Sequence, residues 1–584
     1  MYLAKLSIKN FRSMSSCEIN FRMGLNIIVG ENNIGKSTVI DALRALLPSI
    51  DQQNLNLTDL DICTGNPDSP IELEYIFDGL TRDEEAIFIE ALIPYEERFQ
   101  AHFFVRLSPG KYGRRLISKK WCGAHENQTL SSEILEELVS VYLPPLRNPT
   151  EGLKPGYTSQ IARLIKCFSS KDDEERLISL VENVDEELKV QPPVSKASEA
   201  INQKIKDITG EDLYRQIELS FSGTEFNKIL GRLALFIEGM DVEQNGLGYN
   251  NVIFTAAVLG QLTREHKATY RALLIEEPEA HLHPQLQVLL LQHLKEQANP
   301  INAHKSDNIN SDELQPESLA VQVIVTSHSP IFASQAPLDS IVSLCGIGKC
   351  FSIASLKNNQ YKKKLERYLD ATRAELFFAK KIIMVEGIAE AMLISLFAKT
   401  MDIELKEKSV SIVNVQGLNF DAFLSILSEK GIQIPCAVIT DSDPSKDNYP
   451  TAQEIVISSP TAIALKAKET DLIKVFLSQK TFEYDLALYP ENLPVLIKAF
   501  KTCHPRVGED LEARLQSAPN NLEKTKMFFS SFIHSCRSKG EFAQELSNLL
   551  EENTSFIVPD YILNAINFIT AENIISHSSE NDGF

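Results

Sequence analysis

Apolar and polar positions alternate with a period of two through Leu3–Phe11, again through Cys17–Phe21, and pass into the continuous apolar run Leu25–Val29. Alternation of this kind predicts two half-buried strands and one buried strand. A glycine-bearing loop follows, and then Thr38–Leu47 takes up helical periodicity. From about Gly156 to Phe226 the pattern becomes long helical stretches dense in acids, such as Asp172–Lys189, interrupted at Pro192 and Pro193. This reads as a helical arm inserted into the domain that the first strands begin. Beyond it come the apolar strand Ala272–Ile275, the helix His283–Gln297, a polar Asn-rich surface insertion over Asn299–Ser318, and the buried-type strand Val321–His328. A helix over Asp370–Lys381 is expected to lead into a second series of apolar strands, Lys381–Val385, Val410–Val415 and Cys436–Thr440, alternating with helices. Alternation of strand and helix is the pattern of an α/β domain with a parallel sheet.

A chain of 584 residues holds about three to five domain-sized units at roughly 100–200 residues each. No run of 18 uncharged apolar residues occurs and the N-terminus starts as a strand, so the expectation is a cytoplasmic protein with no membrane partner. The nine cysteines contain no CxxC pair, which argues against a zinc ribbon or a disulfide framework. With 58 basic and 79 acidic residues the net charge is −21, so a polyanion must be met locally. Two basic segments offer this: Arg106, Lys111, Arg114, Arg115, Lys119 and Lys120, and Lys362, Lys363, Lys364, Arg367 and Arg373. Either reads as a solvated face or as a DNA track.

Gly30-Glu31-Asn32-Asn33-Ile34-Gly35-Lys36-Ser37 matches GxxxxGK[ST] after a strand and before a helix. In that context backbone N–H groups of Gly30, Asn32, Asn33, Gly35 and Thr38 wrap phosphates, Lys36 reaches the β- and γ-phosphates of ATP, and Ser37 ligates Mg²⁺. Such a loop requires a second strand ending in acids, which Ala272–Glu277 supplies. Glu276 is then the Mg²⁺ partner and Glu277 the group that positions the attacking water.

The run EEPEAHLHPQLQ, the later VTSHSP and the early NFRS together resemble the ABC-type ATPase heads of the structural-maintenance-of-chromosomes and recombination-protein class. The resemblance implies that His328 contacts the γ-phosphate, that His281 and His283 lie in a D-loop, and that two heads sandwich ATP. Asn245–Asn251 stands where a signature segment would fall, or makes a simple loop.

Glu386 ends an apolar strand with Glu390 four residues on, and Asp441 and Asp443 end another. A helix beginning at Gly387 puts the two glutamates on one side, and an i, i+2 spacing on a strand puts the two aspartates on one face. Like charges about 5 Å apart repel by roughly 3 kcal/mol at an effective dielectric of 20, so four such acids call for Mg²⁺ or Mn²⁺. Taken alone, DxD and ExxxE are common on solvated surfaces. In this order, with TFEYDL around Glu483, KGEFA around Lys539 and the approach LDATRAELFFAKKIIMVEG, they resemble the Toprim domain of the overcoming-lysogenization-defect (OLD) family nucleases.

That resemblance implies an α/β chain: an N-terminal ABC-type ATPase head in two parts (1–155 and 227–372), a helical dimerisation insert (156–226), and a C-terminal Toprim domain with a helical insertion (373–584). It implies metal ligation by Glu386, Asp441 and Asp443, a second metal aided by Glu390 and Glu483, and charge neutralisation by Lys539. The function implied is a nucleotide-regulated, divalent-metal-dependent DNA endonuclease in antiphage defence, a homodimer or higher homo-oligomer. A helicase, or a retron reverse transcriptase and ncDNA complex, are the further partners known for such proteins. The alternative is an ATP-dependent DNA-binding or repair clamp without nuclease activity.

Overall fold

The computed structural model describes residues 1–49, 55–110, 116–145, 148–220, 225–264, 268–299, 321–356, 358–427, 431–445, 447–535, 538–552 and 555–571. Lys111, Arg114 and Arg115 of the first basic segment, and nearly all of the Asn-rich insertion, lie outside the described residues.

The alternating N-terminal pattern forms strands β1 (Tyr2–Phe11) and β2 (Met14–Asn20), followed by the buried β3 (Leu25–Val29). Strands β4 (Ile71–Asp78), β5 (Leu92–Tyr95), β6 (Arg98–Pro109) and β7 (Leu116–Cys122) join β1 and β2 in an antiparallel sheet of order β2-β1-β4-β6-β5, with β7 on β6. A second sheet gathers β3 with β8 (Leu138–Leu143) and, past the short ribbon of β9 (Phe236–Ile237) and β10 (Met240–Asp241), with β11 (Tyr270–Glu276), β12 (Gln322–Ser327), β13 (Ile341–Gly346) and β14 (Lys349–Ser352). Its order is β14-β13-β3-β12-β11-β8, parallel except for β14. The helix Lys36–Leu46 turns Val39, Ile40, Leu43 and Leu46 into the core beneath the antiparallel sheet, so the phosphate loop is fixed at both ends by packing.

Helices Gln160–Phe168, Lys171–Lys189 and Pro192–Thr209 form the acidic arm. Pro192 and Pro193 occupy the first turn of the third, where a missing N–H costs nothing, so they begin a helix as well as ending one.

The second α/β domain is a four-stranded parallel sheet of β15 (Lys381–Val385), β16 (Val410–Asn414), β17 (Cys436–Thr440) and β18 (Ile473–Leu477), in the order β16-β15-β17-β18. Helices Ile388–Lys399, Leu493–Cys503, Asn521–Ser535, Lys539–Glu551 and Asp560–Thr570 share one core with it. The expected helix over Asp370–Lys381 is instead a five-residue 3₁₀ turn, Arg373–Phe377. The buried Arg373 stops it: its guanidinium reaches the carbonyls of Asn414 and Tyr368 at 2.6 and 2.9 Å and the Asp370 carboxylate at 2.5 Å, fixing the turn against β16. Arg373 is therefore a structural clamp and not part of an exposed basic face. One hydrophobic cluster runs from Leu25 and Phe332 through Phe377 to Ile382 and Val438, joining head and second domain.

Candidate functional site

Because β3, β12 and β11 are parallel neighbours, the phosphate loop, His328 and the Glu276-Glu277 pair emerge side by side at one edge of the sheet. Ligands of open α/β sheets sit beyond such strand ends. The loop holds Gly30 and Gly35 at φ 153° and 110°, and a Cβ on Gly30 would lie 2.7 Å from the carbonyl oxygen of Leu344. Asn33 also takes a left-handed φ of 62°. Thr38 is buried in the first helical turn. Lys36 donates to the loop carbonyls of Gly30 and Glu31 at 2.7 and 2.6 Å, and burial pulls its ammonium down to about 8 even though Glu277, Glu279 and Glu31 oppose this. The Ser37 hydroxyl donates to Glu276 at 2.5 Å, which brings both expected Mg²⁺ partners together. Glu277, at φ 46°, stands 3.4 Å from His328 Nε2. Burial, and then the Lys36 charge, push His328 down to about 4, so the ring is neutral at pH 7.

Two residues in this site escape sequence reasoning. Tyr142 donates to Glu276 at 2.7 Å from 134 positions away and stacks under Arg44. Glu279 accepts from the Ser327 hydroxyl and the His328 N–H at 2.9 and 2.7 Å, while its second oxygen is buried with no hydrogen-bond partner. Its position two residues after Glu277 is the one signal that was available. His283 caps the helix Pro284–Gln297 through Gln285 N–H, and His281 takes a left-handed φ of 63°. Asn245–Asn251 opens the helix Leu247–Arg264, with the Asn250 amide tied to Val242 and Thr150 and that of Asn251 to Ala280.

In the second domain Glu386 follows the central strand β15, and Gly387 caps the helix that carries Glu390. A Cβ at Gly387 would lie 2.9 Å from Glu390 Oε2, so the Glu-Gly pair makes room for the second carboxyl. Asp441 follows β17, the neighbour of β15. Glu483 sits in the first turn after Thr481, and Lys539 opens the helix Lys539–Glu551, whose Gly540 allows close approach to Ile388. Asp443 lines one cavity with Asp441 and its charge raises Glu386, but the strand-face argument that paired the two aspartates does not hold. Strand β17 ends at Thr440 and Asp443 takes a left-handed φ of 44°, so strand alternation does not govern it and its side chain is exposed.

Among the described residues no three His, Cys, Asp or Glu side chains are drawn closely enough to hold a metal. The acids are held apart on separate partners: Glu386 accepts from Thr440 at 3.1 Å, Asp441 from Ser478 at 3.3 Å, and Glu483 lies 2.9 Å from Lys539. Burial first and mutual repulsion second raise Glu386, bring Glu390 up to about 7 and hold Asp441 well above the usual carboxylate range. Burial opposes charge on Lys539, yet Glu483, Asp441 and Glu390 hold its ammonium above the usual lysine range. Glu483 Oε1 is buried, and the Lys539 ammonium 2.9 Å away is its counter-charge. An all-oxygen set of carboxyls, held above their usual range by burial and by one another, fits a hard divalent cation. Tyr561 completes the surroundings with a buried hydroxyl that has no hydrogen-bond partner among the described residues and is raised by burial, then by Asp485, and then by Asp441, Glu390 and Glu483.

The AAA ATPase domain family matches residues 1–229 and 169–333, and the overcoming-lysogenization-defect protein-like Toprim domain matches residues 377–443. An ATPase head joined to a Toprim domain is thus the class that fold and sequence define. The chain belongs to the AAA ATPase domain family, whose model covers more than half of it, and its second domain matches the OLD-like Toprim model. It is 23% identical over 287 residues to the endonuclease GajA of Bacillus cereus, across 43% of this chain and 39% of that protein. It is 22% identical over 463 residues to the OLD nuclease of Thermus scotoductus, across 76% and 82%. The C-terminal region of the Burkholderia pseudomallei OLD protein aligns at 25% identity with a TM-score of 0.26, covering 33% of this chain and 100% of that one. The chain thus spans under half the length of the first of these relatives and most of the second. No helix among the described residues is long and apolar enough to cross a membrane.

Proposed function

We propose that this protein is a DNA endonuclease whose Toprim site works with Mg²⁺ or Mn²⁺ and whose head binds and hydrolyses ATP to regulate it. The observation that carries this is the electrostatic coupling of Glu386, Glu390, Asp441 and Glu483 around a single Lys539. A bound divalent ion would supply the Lewis acid and the activated water for phosphodiester hydrolysis. Glu386, Asp441 and Glu483 would hold it, with Asp443 and Glu390 at the margin. Lys539 would steady charge on the phosphate. In the head, Lys36 and the loop amides would bind the phosphates, Ser37 and Glu276 the Mg²⁺, and Glu277 the water, with the neutral His328 beside it.

A homodimer or larger homo-oligomer suits a head of this class, and the acidic arm is its candidate contact. The domain division at 155, 226 and 372 belongs to the same proposal. So do a cytoplasmic location and a role in antiphage defence, alone or beside a helicase or a retron reverse transcriptase and ncDNA complex. The relatives named as nucleases support the enzymatic reading over a DNA-binding or repair clamp without cleavage.

The test is incubation of the purified protein with supercoiled plasmid, Mg²⁺ or Mn²⁺, and ATP present or absent. Nicked or linear DNA that disappears in excess EDTA is the expected result. Intact plasmid under every condition, with ATP hydrolysis retained, would leave the clamp.

A further inference from the structure

The helix Asn359–Tyr368 reads NQYKKKLERY and is capped by Asn358, whose side chain accepts from the N–H groups of Gln360 and Tyr361 at 3.0 and 3.4 Å. Leu365 is fully buried and fixes which side faces the core. Lys362 is committed inward, donating to Asp339 at 2.7 Å and to the Ala354 carbonyl at 3.2 Å. Lys363, Lys364 and Arg367 are exposed. Separations of three and four residues place them on one stripe, roughly opposite Leu365. Among the described residues none of the three is in an ion pair, while Lys362 and Arg373 on either side are.

This helix packs against Phe420–Leu424, and Phe420 and Asp421 line a cavity of about 70 Å³ together with Thr440, Asp441 and Asp443. Asp421 is itself neutralised by an ion pair with Lys468. The three exposed cations therefore stand one helix away from the acid site, in a chain whose net charge is −21. A positive stripe beside an acid cluster that needs a metal is complementary to a phosphate backbone leading into that cluster.

We propose that the face formed by Lys363, Lys364 and Arg367 is the track that grips DNA phosphates and presents the scissile bond to the Toprim acids. The track rests on the nuclease reading of that site, yet it is tested by binding alone. The probe is a fluorescent duplex of about 30 base pairs, titrated with the full chain across a series of NaCl concentrations without divalent metal. The variants are K363S/K364S/R367S, the single Lys363→Ser, and the charge-keeping K363R/K364R.

Each lost phosphate contact lowers the slope of log K against log salt by about 0.9, so the triple variant should lose about 2 to 3 from the slope and Lys363→Ser about 1. Affinity near 0.1 M salt should fall at least about 10-fold for the triple variant, and the Arg-for-Lys variant should bind as wild type. ATP hydrolysis should be unchanged. In nicking assays KM for DNA should rise while kcat at saturating DNA is kept. Wild-type slope and affinity in both Ser variants would overturn the track, as would loss of kcat with KM unaltered. Wild-type protein that binds DNA with the predicted slope but never nicks it would remove the nuclease reading and leave the track standing.

Discussion

Lys380, which leads into the first Toprim strand, stands 3.7 Å from the carboxylate of Glu31 inside the phosphate loop. The same Glu31 offers its backbone carbonyl to Lys36 at 2.6 Å. A nucleotide triphosphate entering this loop must share it with the Glu31 charge, which Lys380 partly offsets. Half-exposed pairs of this kind contribute up to about 1 kcal/mol, or about 5-fold in binding. Lys380→Met should therefore weaken ATP binding about 2- to 5-fold and Glu31→Gln should strengthen it, read by titration with a fluorescent ATP analogue. Shifts of the opposite sign would show that the pair does not bear on the loop.

Lys36 provides the pH dependence. Burial lowers its ammonium from the ordinary lysine value to about 8, so the nucleotide-free loop carries the charge below that pH and loses it above. Phosphates need the charged form, so binding above pH 8 must take up a proton. ATP affinity should be flat below about pH 7.5 and fall by up to about tenfold per unit from pH 8.5 upward. Lys36→Arg, which cannot deprotonate in this range, should flatten the profile if it binds at all, and Lys36→Ala should lose binding. A flat wild-type profile to pH 9.5 would mean that Lys36 does not meet the phosphates.

The phosphate loop and strand β11 were legible because their chemistry sits at fixed offsets from apolar runs. A loop that wraps phosphates needs its glycines and Lys36 at set spacing, and Glu276-Glu277 must end a strand. Glu386, Glu390 and Lys539 were legible by resemblance more than by pattern. The strand-face pairing of Asp441 with Asp443 failed because nothing in CAVITDSD marks where β17 stops, and the structure ends it one residue before Asp441. The helix expected over Asp370–Lys381 failed because Arg373 finds three partners off the helix path, which periodicity does not encode. Tyr142 reaches Glu276 across 134 positions, a contact only the sheet order creates. The three exposed cations of Asn359–Tyr368 were visible as a run, but their common face and their closeness to the acids needed the packing on Phe420–Leu424.

Glu279 separates positioning from chemistry in the head. It accepts from the Ser327 hydroxyl and the His328 N–H, and so fixes the peptide from which the His328 ring reaches Glu277. Glu279→Gln keeps a carbonyl oxygen for both donors, whereas Glu279→Ala leaves them unpaired at a cost of about 1–3 kcal/mol. ATP turnover should fall about 10-fold or more in the alanine variant and only a few-fold in the glutamine variant, with ATP affinity within about 2-fold of wild type in both. Glu277→Gln should bind ATP yet turn over slowly whatever Glu279 does. Equal losses in Glu279→Gln and Glu279→Ala would assign Glu279 a charge-dependent role instead.

The last prediction concerns the carboxylates of the Toprim site. Their burial and mutual repulsion make the metal-free cluster unfavourable, with Lys539 the cation that Glu483, Asp441 and Glu390 share. A divalent ion relieves that repulsion, so Mg²⁺ or Mn²⁺ should raise the thermal midpoint of the wild-type protein, a readout that does not depend on cleavage. Asp441→Ala removes a desolvated carboxyl proposed as a ligand and Glu386→Ala the proposed ligand beside it at the end of β15, so each should lose both the metal-dependent stabilisation and DNA nicking while ATP hydrolysis stays near normal. Lys539→Ala should keep metal binding and slow nicking by about 10²-fold, because the role proposed for its cation is on the phosphate and not on the ion. Nicking that persists in Asp441→Ala, or in wild type with excess EDTA, would place the nuclease chemistry elsewhere. Metal stabilisation that survives both Asp441→Ala and Glu386→Ala would place the ion elsewhere as well.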